Sequence, residues 1–304
     1  MESLTTTYAP AREVSLRLTL GVLPQGGTDP TVQRDGSAWW ITMLTPLGDA
    51  TLRLDGGGRL PVSAAAWGDG AEWAIDRVPE LLGAGDADDE FEAHRHPLVA
   101  ELHRRAPGLR LTRTAQVMAS LVPAVLFQKV TAKEAKASWR WLLRRYGRPA
   151  PGPAPIGMRV VPSPAEWHRI PSWDWHRAGV GPQRSDTIMR VAAVGTSLDR
   201  AANVDGVEAR RRMRTIVGVG EWTAAETAQR SHGDADAVSF GDFHICKRVG
   251  WALTGSRVDD DGMRELLEPW AGQRQRVVRL IETSAAGAYE RHGPRMTIAD
   301  YRAF

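Results

Sequence analysis

Residues 215–242 constrain this chain more than any other stretch. They read Thr-Ile-Val-Gly-Val-Gly-Glu-Trp-Thr-Ala, then a helix-compatible run, a turn at Gly233 and Asp234, and Ser-Phe-Gly-Asp-Phe-His. Gly218 and Gly220 stand immediately before the helix-forming residues 221–230. Glycine is the residue that lets a backbone turn tightly and approach another molecule closely. Upstream, residues 205–214 read as a polar helix with Val207 and Met213 turned inward. The expected arrangement is helix, glycine hairpin, helix. A helix that begins just after Gly220 directs unpaired N–H groups outward, toward an anion such as a phosphate oxygen. On spacing alone, Gly-x-Gly between two helices is most often just a connection.

The chain has 304 residues, enough for a full core and for two or three packed units. Hydrophobic residues make up 42%, charged residues 25%, and the net charge is +3. That composition describes a globular protein and excludes a polybasic tail binder, so any nucleic-acid surface has to be local. The arginine tract over residues 210–214 is one candidate patch for phosphates, with a solvated helix face as the alternative. Cys246 is the single cysteine, which excludes an intramolecular disulfide and a cysteine-based metal cluster. No basic-then-apolar leader and no apolar run of membrane-spanning length is present, so a cytoplasmic protein without a membrane partner is expected.

The texture changes along the chain. Residues 15–21, 39–45, 50–55 and 60–66 alternate with period two between glycines and prolines, as strands of an antiparallel sheet do. Residues 72–82 read as a helix laid on that sheet, and residues 83–89 as an acidic loop. From Thr114 onward the period is helical. Val117, Leu121 and Leu126 mark one buried face, and residues 149–155 form a proline-rich connection. The fold class is therefore α+β, with a small antiparallel sheet/helix domain over residues 1–110 followed by an all-α domain over residues 111–304.

The hairpin and the aspartate that follows it, Asp242, resemble the helix-hairpin-helix DNA glycosylase superfamily, which places an aspartate about twenty residues beyond the hairpin. The nearest branch is that of the alkylpurine, or 3-methyladenine, DNA glycosylases. The resemblance covers roughly residues 105–285: Pro107-Gly108-Leu109-Arg110-Leu111, the run from Leu121 through Gln128 to Thr131, Arg144-Arg145-Tyr146-Gly147, Pro162-Ser163-Pro164, Ala178-Gly179-Val180 with Arg184, and Glu268-Pro269-Trp270 with Arg274. It implies a helix-hairpin-helix glycosylase domain preceded by a small α/β domain resembling the TATA-binding-protein fold. It further implies excision of alkylated purines of the 3-methyladenine or 7-methylguanine type from double-stranded DNA in base-excision repair, by a monomer associated with the nucleoid. The same fold acting on deaminated or oxidised bases, and a non-catalytic DNA-binding protein in which Asp242 is only a helix cap, are the alternatives.

The resemblance assigns roles to individual positions. Asp242 would stabilise the oxocarbenium-like sugar and orient or deprotonate the attacking water; as a preferred N-cap type, it also has a purely structural reading. At the start of a helix its ionised form is favoured. Trp222 stands where bifunctional relatives carry a lysine that forms a Schiff base, which implies no strand nicking; the ring would wall the base pocket, or simply pack. Phe243, Glu226 and Glu282 fall at pocket positions, and the two carboxylates replace aromatic residues of some relatives. They would favour cationic bases, unless both are merely solvated. Gln128 and Lys129 occupy the loop that fills the gap left by a flipped nucleotide, and Thr131, Gly218, Val219, Gly220, Thr223 and Arg274 fall at DNA-contact positions. The chemistry implied requires no cofactor. The backbone carbonyls of Arg214, Ile216 and Val219 match positions that hold a structural sodium or potassium ion at the hairpin.

Overall fold

The structure, a computed structural model, describes residues 2–289. The last residues of the expected helical domain, 290–304, lie outside the described residues. Five strands, β1 (Leu4–Tyr8), β2 (Val32–Asp35), β3 (Ala38–Thr45), β4 (Gly48–Gly56) and β5 (Val62–Trp67), form one antiparallel sheet in the order β1-β5-β4-β3-β2. The register sets Ile41 opposite Leu52 and Leu52 opposite Ala66. Their side chains lie on one face with Met43, Ala50, Leu54 and Ala64, all buried. Period-two alternation reads β5 well because it buries alternate residues, while the inner strands β3 and β4 are covered on both faces over much of their length and are legible from their apolar and β-branched residues between glycines and prolines. The alternation misses β1 and β2, the two edge strands, which are short and expose most of their side chains.

Residues 15–21, expected as a strand, form the helix Leu16–Leu20 instead. Leu16 and Leu20 are one turn apart and both enter the sheet's core, while Leu18 packs against a different cluster. A Leu-x-Leu-x-Leu run fits both periods, and here tertiary packing selects the helical one. Ser15 caps that helix by accepting from the Leu18 N–H at 3.4 Å. The helix expected over residues 72–82 is two, Ala71–Asp76 and Val78–Leu81, parted at Arg77 just before Pro79, which has no N–H to continue the first.

The proline-rich connection returns across the sheet's other face. Arg148–Pro149 pairs with Arg159–Val160, and Met158 packs with Ala38 and Trp40. Trp40 stacks on Trp67 at 5.5 Å, and the Thr42 hydroxyl donates to the Arg159 carbonyl at 2.6 Å.

The helices enclose two cores. One surrounds Val117–Leu126, a helix buried on almost every side rather than along the single face expected of it. This core takes in Trp139, Trp167 and Trp175, stacked in a row, and the alanines of helix Glu221–Ser231. The second core joins Phe91, Val99, Leu102, Leu109 and Leu111 to Val238, Phe240, Ile245, Val249 and the helix Arg274–Glu282. Residues 91–111 thus pack with the C-terminal helices, although most of them precede the boundary expected at residue 110. The acidic loop supplies the tie. Asp86 accepts from the Leu111 N–H at 3.0 Å and pairs with Arg276, both side chains at most 2% exposed. Asp88 pairs with Arg110 at 3.0 Å. Removing one member of such a buried pair typically costs about 3–5 kcal/mol, because the other charge is left unpaired. The chain passes from the first helical core to the second between Ser231 and Asp242.

Candidate active site

Helix Gly206–Met213 opens at Asp205, whose carboxylate accepts from the Glu208 N–H at 2.9 Å. Met213 is fully buried as expected, whereas Val207 is 67% exposed and not turned inward. Val207 sits in the first turn, on the side of the helix that faces solvent. In the hairpin, Gly218 has φ +98°, and a Cβ there would lie 2.1 Å from the Thr187 hydroxyl. Only glycine fits. Gly220 faces open space, and as N-cap of helix Glu221–Ser231 it supplies no side chain to satisfy the helix's first N–H groups. The buried Val219 anchors the loop between them. The result is an exposed, rigidly held helix N-terminus suited to a phosphate.

The other expected DNA contacts divide into two groups. The Gln128 amide donates to the Gly218 carbonyl at 2.9 Å and to the Thr223 hydroxyl at 2.8 Å, so it ties the wedge loop to the hairpin. Thr223 is 2% exposed and serves as Gln128's partner beneath the surface. Thr131 forms a capping box with Glu134 at the start of helix Ala132–Tyr146. Arg274 is clamped by Asp236 through two charge-assisted hydrogen bonds, one of 2.7 Å. Lys129 differs from these. It is exposed at the loop's apex with φ +54°, a left-handed conformation that costs a non-glycine residue energy.

The arginine tract beside the hairpin is largely neutralised from within. Arg211 and Arg212 both pair with Glu208, at 2.6 and 2.7 Å, and hold its carboxyl at about 2. Arg210 pairs with Asp234 at 2.8 Å. Among the described residues, Arg214 alone in the tract makes no ion pair.

Asp242 lies at the crossing between the two helical cores, just before helix Ile245–Thr254. Its Oδ1 accepts from the N–H groups of His244 at 2.7 Å and Ile245 at 2.9 Å. Oδ2 accepts no hydrogen bond among the described residues. The cap and a second function therefore coexist on one carboxylate: one oxygen fixes the orientation and the other stays open. The loop behind it is braced at three points. Gly241 N–H donates to Asp260 at 2.7 Å, Asp242 N–H donates to the Ser239 carbonyl at 3.2 Å, and the Ser239 hydroxyl donates to Glu226. Gln229 holds Ser239 and Ala237 from the same helix, at 2.8 Å each.

Trp222 is half-buried and lies one turn before Glu226, which is one turn before Arg230, so the three share a helix face. Glu226 pairs with Arg230 at 2.9 Å and is not a free, solvated carboxylate. Phe243 is 72% exposed, with the Lys247 ammonium 3.2 Å above its ring. Glu282 is reached by solvent yet crowded by protein. That crowding pushes its carboxyl up, the charges of Arg279, Arg248 and Arg230 oppose the rise, and that of Glu226 adds to it. Glu226 and Glu282 thus lie within electrostatic reach of each other, and Glu226 is joined through Ser239 to the loop that carries Asp242. Sequence reasoning missed Ser239, Gln229, Asp236 and Asp260. Their partners are distant in sequence or unmarked by any spacing; Lys247 was missed as well, although it stands four residues after Phe243.

No family model matches the sequence. Over 151 residues the chain is 34% identical to the "Probable bifunctional transcriptional activator/DNA repair enzyme AlkA" of Mycobacterium tuberculosis. That match covers 48% of this chain and 30% of the relative, so the chain spans under a third of the curated relatives' length. In three dimensions the chain is similar to the 3-methyladenine DNA-glycosylase from Archaeoglobus fulgidus, with a TM-score of 0.75 at 14% identity over 91% of this chain and 97% of that one. It is also similar to the Clostridium acetobutylicum 8-oxoguanine glycosylase/lyase in its apo form, with a TM-score of 0.70 at 14% identity over 92% and 97%. The same enzyme bound to dsDNA containing cytosine opposite 8-oxoG gives 0.66 at 15% identity over 90% and 92%. The chain has the fold of these DNA glycosylases, and over about half its length its sequence is similar to that AlkA relative.

Proposed function

We propose that the protein is a monofunctional DNA glycosylase that removes alkylated purines from double-stranded DNA in base-excision repair. The observation that carries this reading is Asp242: one carboxylate oxygen is held by two backbone N–H groups and the other is open, at the crossing of two helical cores and beyond an exposed hairpin N-terminus. An ionised carboxylate so fixed stabilises the oxocarbenium-like sugar electrostatically and orients the water that attacks it. The target nucleotide must leave the stack to reach Asp242. Lys129, at the strained apex of its loop, is the side chain positioned to fill the gap, while Gln128 fixes the loop to the hairpin. The Gly218-Val219-Gly220 hairpin would take a phosphate on its free N–H groups.

Trp222 in place of a Schiff-base lysine supports hydrolysis without strand cleavage. Glu282, and Glu226 to the extent that Arg230 leaves it charge, would favour cationic purines such as 3-methyladenine and 7-methylguanine. The hairpin carbonyls suit a sodium or potassium ion. Those of Arg214 and Val219 accept no hydrogen bond among the described residues, and that of Ile216 accepts only the Val219 N–H. Such an ion would add positive charge at the phosphate, and the hydrolysis itself needs no cofactor. The protein would act as a monomer in the cytoplasm, at the nucleoid; among the described residues no helix is long and apolar enough to cross a membrane.

A second reading, a glycosylase/lyase for oxidised purines, draws on the likeness to the 8-oxoguanine enzyme and on the Lys247 amine beside Phe243. One panel separates the two. With methylated duplex and with duplex containing 8-oxoguanine, the proposal predicts release of methylpurine only, strand cleavage only after alkali, and no adduct trapped by borohydride. Release of 8-oxoguanine with an adduct that disappears in Lys247→Ala would establish the second reading instead.

A further inference from the structure

We infer that one face of helix Ala132–Tyr146, running from the wedge loop into a basic groove, is a DNA-phosphate contact strip and supplies more of the salt-sensitive affinity than the arginine tract beside the hairpin. The inference deepens the glycosylase reading and rests on it.

The strip begins just past Lys129, the side chain given to the gap. Lys133, Ala137, Arg140 and Arg144 follow at steps of three or four residues, the spacing that lines side chains along one helix face. From Lys133 to Arg144 the face is about 16 Å long, enough to pass several phosphates of one strand. Its far end opens into a groove of about 670 Å³ lined by Ala137, Arg140, Trp141, Arg144, Arg145 and Arg177. Four guanidinium groups therefore meet there. The carboxylate opposing them is that of Asp174, 1% exposed, which braces Arg145 at 3.1 Å and Arg177 at 3.6 Å from beneath. Arg140 donates to the uncharged Thr28 hydroxyl at 2.8 Å, and Arg144 makes no ion pair among the described residues, so both keep their full charge toward solvent. On the helix itself, Lys133, Lys136, Arg140, Arg144 and Arg145 face a single acid, Glu134, which is engaged in the cap.

The hairpin tract is the opposite case. Three of its arginines are paired with Glu208 and Asp234, so a phosphate arriving there would have to displace a carboxylate first. A cation already neutralised by the protein releases few counterions from DNA, whereas an unpaired one contributes about 0.9 to the slope of log K against log salt. The groove's guanidinium groups, of which Asp174 orients Arg145 and Arg177 and Thr28 holds Arg140, are walled by Trp141 and suit the phosphates of the strand that continues past the flipped nucleotide.

The test measures binding of the full chain to duplex carrying an abasic-site analogue, between about 50 and 200 mM salt. It compares wild type with the pairs Arg140→Gln/Arg144→Gln and Arg211→Gln/Arg212→Gln. Both pairs remove two positive charges, so a general charge effect would act on them equally; thermal melting verifies that each is folded. The strip predicts that the Arg140/Arg144 pair lowers the slope by about two, while the Arg211/Arg212 pair leaves it close to wild type. Equal slopes for the Arg140/Arg144 pair and wild type, or a loss carried by the Arg211/Arg212 pair, would overturn the strip; methylpurine release by wild type would then show that the glycosylase reading survives. Wild type that neither binds the duplex nor releases a base would overturn both.

Discussion

Glu282 shows how a single side chain registers its surroundings. Solvent reaches it, yet the protein crowded around it raises its carboxyl, with the Arg279 charge opposing and the Glu226 charge adding. The folded state therefore holds this proton more tightly than the unfolded chain does. The associated stability is present in full below the ordinary glutamate range and is lost as pH rises through the raised value. At neutral pH the ionised side chain is a liability that Glu282→Gln removes. The midpoint of thermal unfolding should then rise in the variant by an amount that grows from pH 5 to pH 8. A gain of the same size at every pH would contradict the assignment. Residues of this kind were only half legible in the sequence. Asp242, Trp222 and Phe243 could be singled out because the resemblance assigns roles at their distances from the glycine hairpin, not from spacing alone. The duties of Gln128, Thr223 and Arg274 could not, because their partners Gly218 and Asp236 are joined to them only by the tertiary fold.

At the scale of elements, the two hairpin glycines separate two physical requirements. Gly218 needs both a positive φ and the absence of a Cβ, while Gly220 has an ordinary φ of −89° and open space around it. Gly218→Ala is expected to cost about 2 kcal/mol or more in urea denaturation, from the left-handed backbone and the contact with Thr187. Gly220→Ala should change stability by a few tenths of a kcal/mol at most, yet weaken duplex binding, since its new methyl group stands where a phosphate would approach the free N–H groups. Equal stability losses in the two variants would show that the hairpin is not held as described. The hairpin was legible because glycine is a local signal. Helix Leu16–Leu20 was not, since Leu16, Leu18 and Leu20 satisfy two periods at once and the deciding contacts come from the sheet and from the second helical core.

Across the whole molecule, the sheet, the first helical core and the second are joined by ion pairs rather than by one continuous apolar interior. Arg148 reaches from the helical part to Asp49 on β4 at 2.6 Å and to Glu166, and Asp86 holds Arg276 of the last described helix. An acidic loop and scattered arginines look like solvated surface in a linear reading; which of them pair is decided by packing between segments nearly two hundred residues apart. These ties fix each helical core to the N-terminal part of the chain, and Asp242 stands just past the point where the chain crosses from one helical core to the other. Its Oδ1 has a structural duty that Asn can retain through its side-chain carbonyl, while the negative charge on Oδ2 has no substitute. The most direct measurement is therefore base release from methylated duplex by wild type and Asp242→Asn, with duplex binding followed in parallel. The account predicts methylpurine release by wild type, a loss of at least about a hundredfold in the variant, and nearly unchanged binding. Release by the variant at a rate close to wild type would contradict the role given to Asp242.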